Sequence, residues 1–198
     1  KTVRDFFIRK NKLNPGDKVS IKINRKKFYF IGARKDKNFC NGLKITEEFE
    51  LEKSDFILNS GVNDGEKLEK YIKILKKGVS LSLKMICVNP DLEIIRGKKK
   101  EICAGALALQ YEKLGGKVKY FGKPYKKIYQ KTLEKIKVKN KKKIIAIGDS
   151  LRTDILGANN FGIDSALVLS GIHGNIKAIE KLCKKTNIYP KFLLNKLE

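Results

Sequence analysis

Six short runs of β-forming residues, at 28–32, 55–59, 83–88, 118–121, 144–148 and 166–170, are separated by segments whose apolar residues recur at helical spacing. That alternation constrains the fold more than any other feature. A strand followed by an amphipathic helix and another strand is the pattern of layered α/β proteins with parallel strands, because the crossover helix buries its apolar stripe on the sheet it bridges. Leu68, Tyr71, Ile72 and Leu75 mark one stripe, and Tyr125, Ile128, Tyr129, Leu133 and Ile136 another. The stretch 101–114 is apolar on most faces and small near its start (Ala104, Gly105, Ala106), which predicts a well-buried helix. Asn63-Asp64-Gly65 reads as a helix start with Asp64 as its N-cap.

Turn residues suggest where the chain divides. Gly115-Gly116 ends a helix, a short strand follows, and Gly122-Lys123-Pro124 opens the next helix. We therefore expect one α/β unit over 1–117 with three strands of its own, and a second over 118–198 with only two or three. Three strands make a thin core, so the second sheet is expected to be incomplete.

Composition removes several function classes. At 198 residues and 41% hydrophobic, the chain can form one or two small domains. Its longest apolar runs, such as 85–88 and 144–147, fall far short of the roughly 18 residues of a membrane span. The first dozen residues lack a secretory h-region, so a cytoplasmic protein is expected. The chain starts at Lys1 and its single methionine is Met85, which predicts a fragment of something longer. Cys40, Cys87, Cys103 and Cys183 form no C-x-x-C pair, which argues against a zinc ribbon and for reduced, buried thiols. One histidine, His173, rules out a His-rich metal site and argues against Ser-His or Cys-His catalysis.

The net charge of +24 raises a nucleic-acid reading, since clustered basic residues neutralise phosphates. Only six of the 45 basic residues are arginine, the residue suited to base edges and bidentate phosphate contacts. With its many Ile and Asn, this is the composition an AT-rich genome imposes on every surface, and the dense block 135–143 reads as a solvated loop. A basic nucleic-acid-binding module using Phe28, Tyr29 and Phe30 is kept as the rival hypothesis.

Chemistry concentrates where the apolar strand 144–148 runs into Gly148-Asp149-Ser150-Leu151-Arg152-Thr153-Asp154. Ligands of α/β sheets bind at the carboxyl ends of strands. A carboxylate there can offer oxygen to Mg²⁺, which takes hard ligands and keeps waters or phosphate oxygens in its other positions. Asp149 and Asp154 are the candidate metal ligands. Helix capping would account for Thr153, and it leaves Asp149 unexplained. Lys123 follows another short strand, where its ammonium could neutralise a phosphoryl group or a nucleophilic carboxylate. In the first unit Asn89 and Asp91 follow a strand and Gly105 starts a helix, so both places could meet substrate. Equally, Asn89-Pro90-Asp91 could be only a turn, and Gly105 only close packing.

The order G-K-P, helix, apolar strand, G-D-x-x-x-x-D resembles the haloacid dehalogenase-like phosphatases. Lys123 matches the third motif of that family, and Asp149 with Asp154 the fourth. Cys87-Val88-Asn89-Pro90-Asp91, Cys103-Ala104-Gly105-Ala106-Leu107, Tyr120-Phe121-Gly122-Lys123-Pro124 and Leu169-Ser170-Gly171-Ile172-His173 look like the subclass IIA members, which include 4-nitrophenylphosphate, pyridoxal-phosphate and ribonucleotide phosphatases. The resemblance implies that 1–117 is an α/β cap with a junction helix at its N-terminal end, and that 118–198 is the C-terminal half of a Rossmann-like core. It further implies an aspartyl-phosphate mechanism with Mg²⁺ as cofactor and a small phosphorylated metabolite as substrate. Lys123 and Asp154 would be catalytic, Asp149 and Asp154 metal ligands, and Asn89, Asp91, Gly105 and Ser150 substrate-binding.

One part of the pattern is missing. The D-x-D-G motif that should precede the cap is not here, and no D-x-D occurs anywhere in the 198 residues. Two missing strand-helix units would amount to on the order of 60 residues. The nucleophile is therefore expected upstream of Lys1 and the chain alone to be inactive. A non-catalytic relative kept for metabolite sensing is the third hypothesis, and oligomeric state and the individual substrate stay open.

Overall fold

The computed structural model describes residues 27–33, 36, 38, 40–96, 99–138, 140–169 and 176–196, and the chain divides into two units, Lys1–Phe121 and Gly122–Glu198. The expected N-terminal junction helix, and Ser170 and His173, lie outside the described residues.

In the first unit, strands β1 (Lys27–Ile31), β2 (Thr46–Glu48), β3 (Phe56–Asn59), β4 (Lys84–Cys87) and β7 (Lys117–Tyr120) form one parallel sheet in the order β2-β1-β3-β4-β7. Successive side chains of a strand point to opposite faces, and the core follows that alternation. Ile57, Met85 and Cys87 pack on one face against Leu75, Leu107, Ala108 and Tyr111, which belong to helices α1 (Glu69–Ser80) and α2 (Ala104–Lys113). Phe56, Leu58, Ile86 and Val88 pack on the other with Phe28 and Phe121. With both faces covered, β3 is buried at every position, which is why parallel strands read as continuous apolar runs. Gly78 lets α1 close on the sheet, since a Cβ there would sit 2.6 Å from Ile57 Cδ1. Tyr111, fully buried, donates its hydroxyl to Leu83 O at 2.7 Å.

Three expectations are corrected here. The strand expected to open the second unit instead closes the first sheet, with Val118 paired to Met85 and Tyr120 to Cys87, so the division falls after Phe121 rather than at 117/118. The first unit has more than three strands, because β2 joins the sheet and an antiparallel hairpin, β5 (Glu93–Arg96) with β6 (Lys99–Ile102), precedes α2. Asp64 is not the N-cap of α1: Gly65, at φ +77°, takes the chain through a turn, and α1 begins at Glu69 with Leu68 at its N-cap. Glu66 orders this entry, accepting from Asn63 N at 3.1 Å and pairing with Lys70 and Tyr71.

The second unit runs α3 (Lys126–Ile136), β8 (Ile145–Gly148), α4 (Leu156–Phe161), β9 (Asp164–Val168), α5 (Ile176–Thr186) and β10 (Phe192–Leu194). Its described strands form a parallel sheet in the order β10-β9-β8. Leu151, Ile155, Leu167, Ile179 and Cys183 form its core.

Candidate active site

The apolar strand β8 opens at its carboxyl end into Asp149, half-buried, and Ser150, buried. The chain does not pass directly into an α-helix. Leu151–Ile155 winds as a wide π-type turn, in which the amides of Asp154 and Ile155 both donate to Ser150 O, at 3.0 and 3.1 Å. Such turns place one residue more per turn than an α-helix and recur at functional sites. Leu151 and Ile155 anchor the turn in the core, so the intervening Asp154 side chain is directed back at the strand end. It fits there only because residue 148 is glycine: a Cβ on Gly148 would collide with the Asp154 carboxyl group.

Both oxygens of that carboxylate are engaged. Lys123 Nζ donates to Oδ1 at 2.5 Å and the Ser150 amide to Oδ2 at 3.2 Å. Asp154 is 9% exposed in its side chain against 46% for Lys123, so a buried carboxylate is held by a partly exposed lysine. A buried carboxylate is tolerable when it is paired and hydrogen-bonded in this way.

Thr153 does not cap the helix. It is 1% exposed, its Oγ1 has no hydrogen-bond partner among the described residues, and α4 starts after Ile155 without a side-chain cap. The hydroxyl of Tyr129, on α3, donates instead to the carbonyls of Asp154 at 3.1 Å and Thr153 at 3.4 Å. The Tyr129 ring stacks on Phe161 with centroids 5.5 Å apart, and Gly157 makes room for its oxygen. Burial, and then the charge of Asp154, push the Tyr129 hydroxyl up to about 12, so it is a protonated donor at neutral pH. Sequence reading placed Tyr129 only on a packing stripe. The available signal was a phenol where an apolar ring would pack as well, since a buried hydroxyl seeks a partner.

The structure thus brings Lys123, Ser150 and Asp154 into direct contact, with Asp149 beside them in the same loop. Asn89, Asp91 and Gly105 form a separate group in the first unit. Asn89 Oδ1 accepts from Asp91 N at 3.3 Å, its Nδ2 donates to Cys103 Sγ at 3.1 Å, and Gly105 N donates to Asp91 O at 2.9 Å. A Cβ on Gly105 would overlap the Pro90 carbonyl, so turn formation and close packing account for these three residues.

Two aspartates at the carboxyl end of a parallel strand are hard oxygen donors. No group of three or more His, Cys, Asp or Glu suited to a metal occurs among the described residues. Two carboxylates suffice for Mg²⁺, which commonly completes its shell with water and phosphate oxygens, so the donor set fits that ion.

The sequence pattern of the HAD-hydrolase-like family matches residues 120–198. The ribonucleotide monophosphatase NagD of Escherichia coli K12 is 37% identical over 95 residues, which cover 48% of this chain and 36% of that protein. A haloacid dehalogenase-like hydrolase from Brucella suis 1330 superposes with a TM-score of 0.73 at 30% identity, over 86% of this chain and 62% of that one. The p-nitrophenyl phosphatase of Archaeoglobus fulgidus shares the fold at 17% identity and a TM-score of 0.67, over 88% of this chain and 66% of that one. The chain therefore spans about a third of the curated relative it matches and under two thirds of the Brucella structure. Its second unit, with Lys123 and Asp154 in contact at the end of β8, is the part of the chain that the HAD-hydrolase-like pattern matches.

Proposed function

We propose that this chain is part of a cytoplasmic, Mg²⁺-dependent phosphomonoester hydrolase acting on a small phosphorylated metabolite. The observation that carries the reading is the Lys123 ammonium, 2.5 Å from the buried Asp154 carboxylate at the end of β8. A preorganised cation at a strand end stabilises the charge of a phosphoryl group in transfer without reorganising. In this reading Asp154 fixes Lys123 and orders water with the lone pairs left on its oxygens. Asp149 would hold the metal when it is bound, and Ser150 would present its hydroxyl to the phosphate. Bound Mg²⁺ supplies further charge neutralisation at the transferring group. Asn89, Asp91 and Gly105, in the unit read as a cap, are assigned to the substrate side of the site.

No D-x-D pair stands in these 198 residues, and the similar proteins are longer. The nucleophilic aspartate that would carry the phosphoryl group is accordingly assigned to sequence outside this chain. Release of 4-nitrophenol from 4-nitrophenyl phosphate by the full-length gene product tests the reading. Turnover is expected to require Mg²⁺, and Lys123→Ala, Asp149→Asn and Asp154→Asn are each expected to lower it by about 10²-fold or more. Variants as active as the parent would refute the assignment. Turnover by the 198-residue chain alone, abolished by Asp149→Asn, would refute the external nucleophile.

A further inference from the structure

The wide turn that presents Asp154 is secured from outside itself. Thr153, the residue best suited to cap it, makes no side-chain hydrogen bond among the described residues, and α4 begins without a side-chain cap. The Tyr129 hydroxyl arrives from α3 and reaches the two carbonyls that flank the Asp154–Ile155 peptide and the Thr153–Asp154 peptide. Stacking on Phe161 requires only the ring, so the oxygen does something that packing does not demand. Room for it exists because Gly157 carries no Cβ, and a glycine inside a helix is tolerated there at a cost in helix propensity.

We infer that Tyr129 is a positioning residue for Asp154. Its hydroxyl, donated to the Thr153 and Asp154 carbonyls, holds the turn in the register that keeps the carboxylate on Lys123 and on the Ser150 amide. The consequence for catalysis rests on the phosphatase reading above; the mechanical claim does not. A carboxylate fixed by contacts of 2.5 and 3.2 Å tolerates little movement of its own backbone, and the two tethered peptides are the ones that set where its Cα lies.

Amide hydrogen exchange on the chain, followed by NMR, tests this without any turnover. The Ser150 amide donates to Asp154 Oδ2 and the Ile155 amide to Ser150 O, so both report the turn, while Ala166 and Leu167 in β9 report the sheet. Tyr129→Phe is expected to speed exchange at Ser150 and Ile155 about tenfold and to leave Ala166 and Leu167 within about twofold. Phe161→Leu, which removes the stacking partner and keeps the hydroxyl, is expected to move Ser150 and Ile155 no more than it moves β9. Unchanged exchange at Ser150 and Ile155 in Tyr129→Phe overturns the inference, as does a speed-up shared equally by β9, which would be general loosening. In the full-length enzyme the same variant is expected to lower kcat about tenfold with KM within about twofold. Should Lys123→Ala and Asp154→Asn hydrolyse 4-nitrophenyl phosphate like the parent, the functional reading falls while the exchange result still decides the role of Tyr129.

Discussion

The two parallel sheets are built from similar apolar strands and are packed very differently. In the first, β3 is buried along its whole length, and even its polar Asn59 is enclosed, donating to Ala104 O at 2.9 Å and accepting from the Gly61 amide. In the second, β8 is equally apolar in sequence, and Ile145 and Ile147 are 44% and 48% exposed. Yet β8 is the strand that leads into Asp149 and Asp154. The carboxylate is located by discrete polar tethers, from Lys123, Ser150 and Tyr129, more than by tight packing around its strand.

The contrast can be broken by mutation. Tyr111→Ala removes a fully buried ring and its bond to Leu83 from the first core and is expected to cost about 3–5 kcal/mol. Urea unfolding followed by hydrogen exchange should show the loss in the first unit, and equal loss in the second would mean that the two are not separate cores. Gly78→Ala forces a methyl against Ile57 and is expected to cost about 1–3 kcal/mol in the same assay. In the second unit Thr153→Val exchanges an unpartnered buried hydroxyl for a methyl of similar shape, and a gain of about 1 kcal/mol in the second-unit transition is expected. A loss there would show that the hydroxyl has a partner in solution. The smallest effect concerns acid. Hydrogen bonds from Lys70 first and then Tyr71 hold Glu66 well below its usual 4.5, at about 2. Its ionised form favours the folded state, so its contribution is complete above about pH 4.5 and is lost as pH falls toward about 2. Glu66→Gln should flatten that part of the acid-unfolding curve of the first unit and leave the second unchanged.

Much of this was legible in the sequence where one element sufficed to define it. All six expected strands exist, because apolar β-branched runs between turn residues have few alternatives. Thr46–Glu48 escaped notice because its polar Thr-Glu-Glu pairs at a sheet edge, and the β5–β6 hairpin because Glu-Ile-Ile-Arg and Lys-Lys-Glu-Ile carry no clear alternation. Asp64 misled because Asp-Gly serves turns as readily as helix starts, and the residue that orders α1 is Glu66. In the site, the contact of Lys123 with Asp154 was approachable from motif order alone, since both follow strands. The wide turn and its Tyr129 tether were not. They depend on α3 lying over α4, and on a glycine at 157 whose importance is visible only once Tyr129 sits above it.

Among the described residues β8 stands at the edge of its sheet, which bears on how this chain behaves in a test tube. A strand at the end of a sheet that displays half-exposed isoleucines is a template for another strand, and proteins protect such edges with charge. Here the protection is collective: the chain carries a net charge of +24, so copies repel one another over a distance of about 10 Å at 0.1 M salt and much less at 1 M. Added salt removes the repulsion and leaves the isoleucine-bearing edge free to seek company. For this chain, light scattering is expected to rise as salt is taken from about 0.1 M to about 1 M, and unchanged scattering would show that charge is not what keeps copies apart.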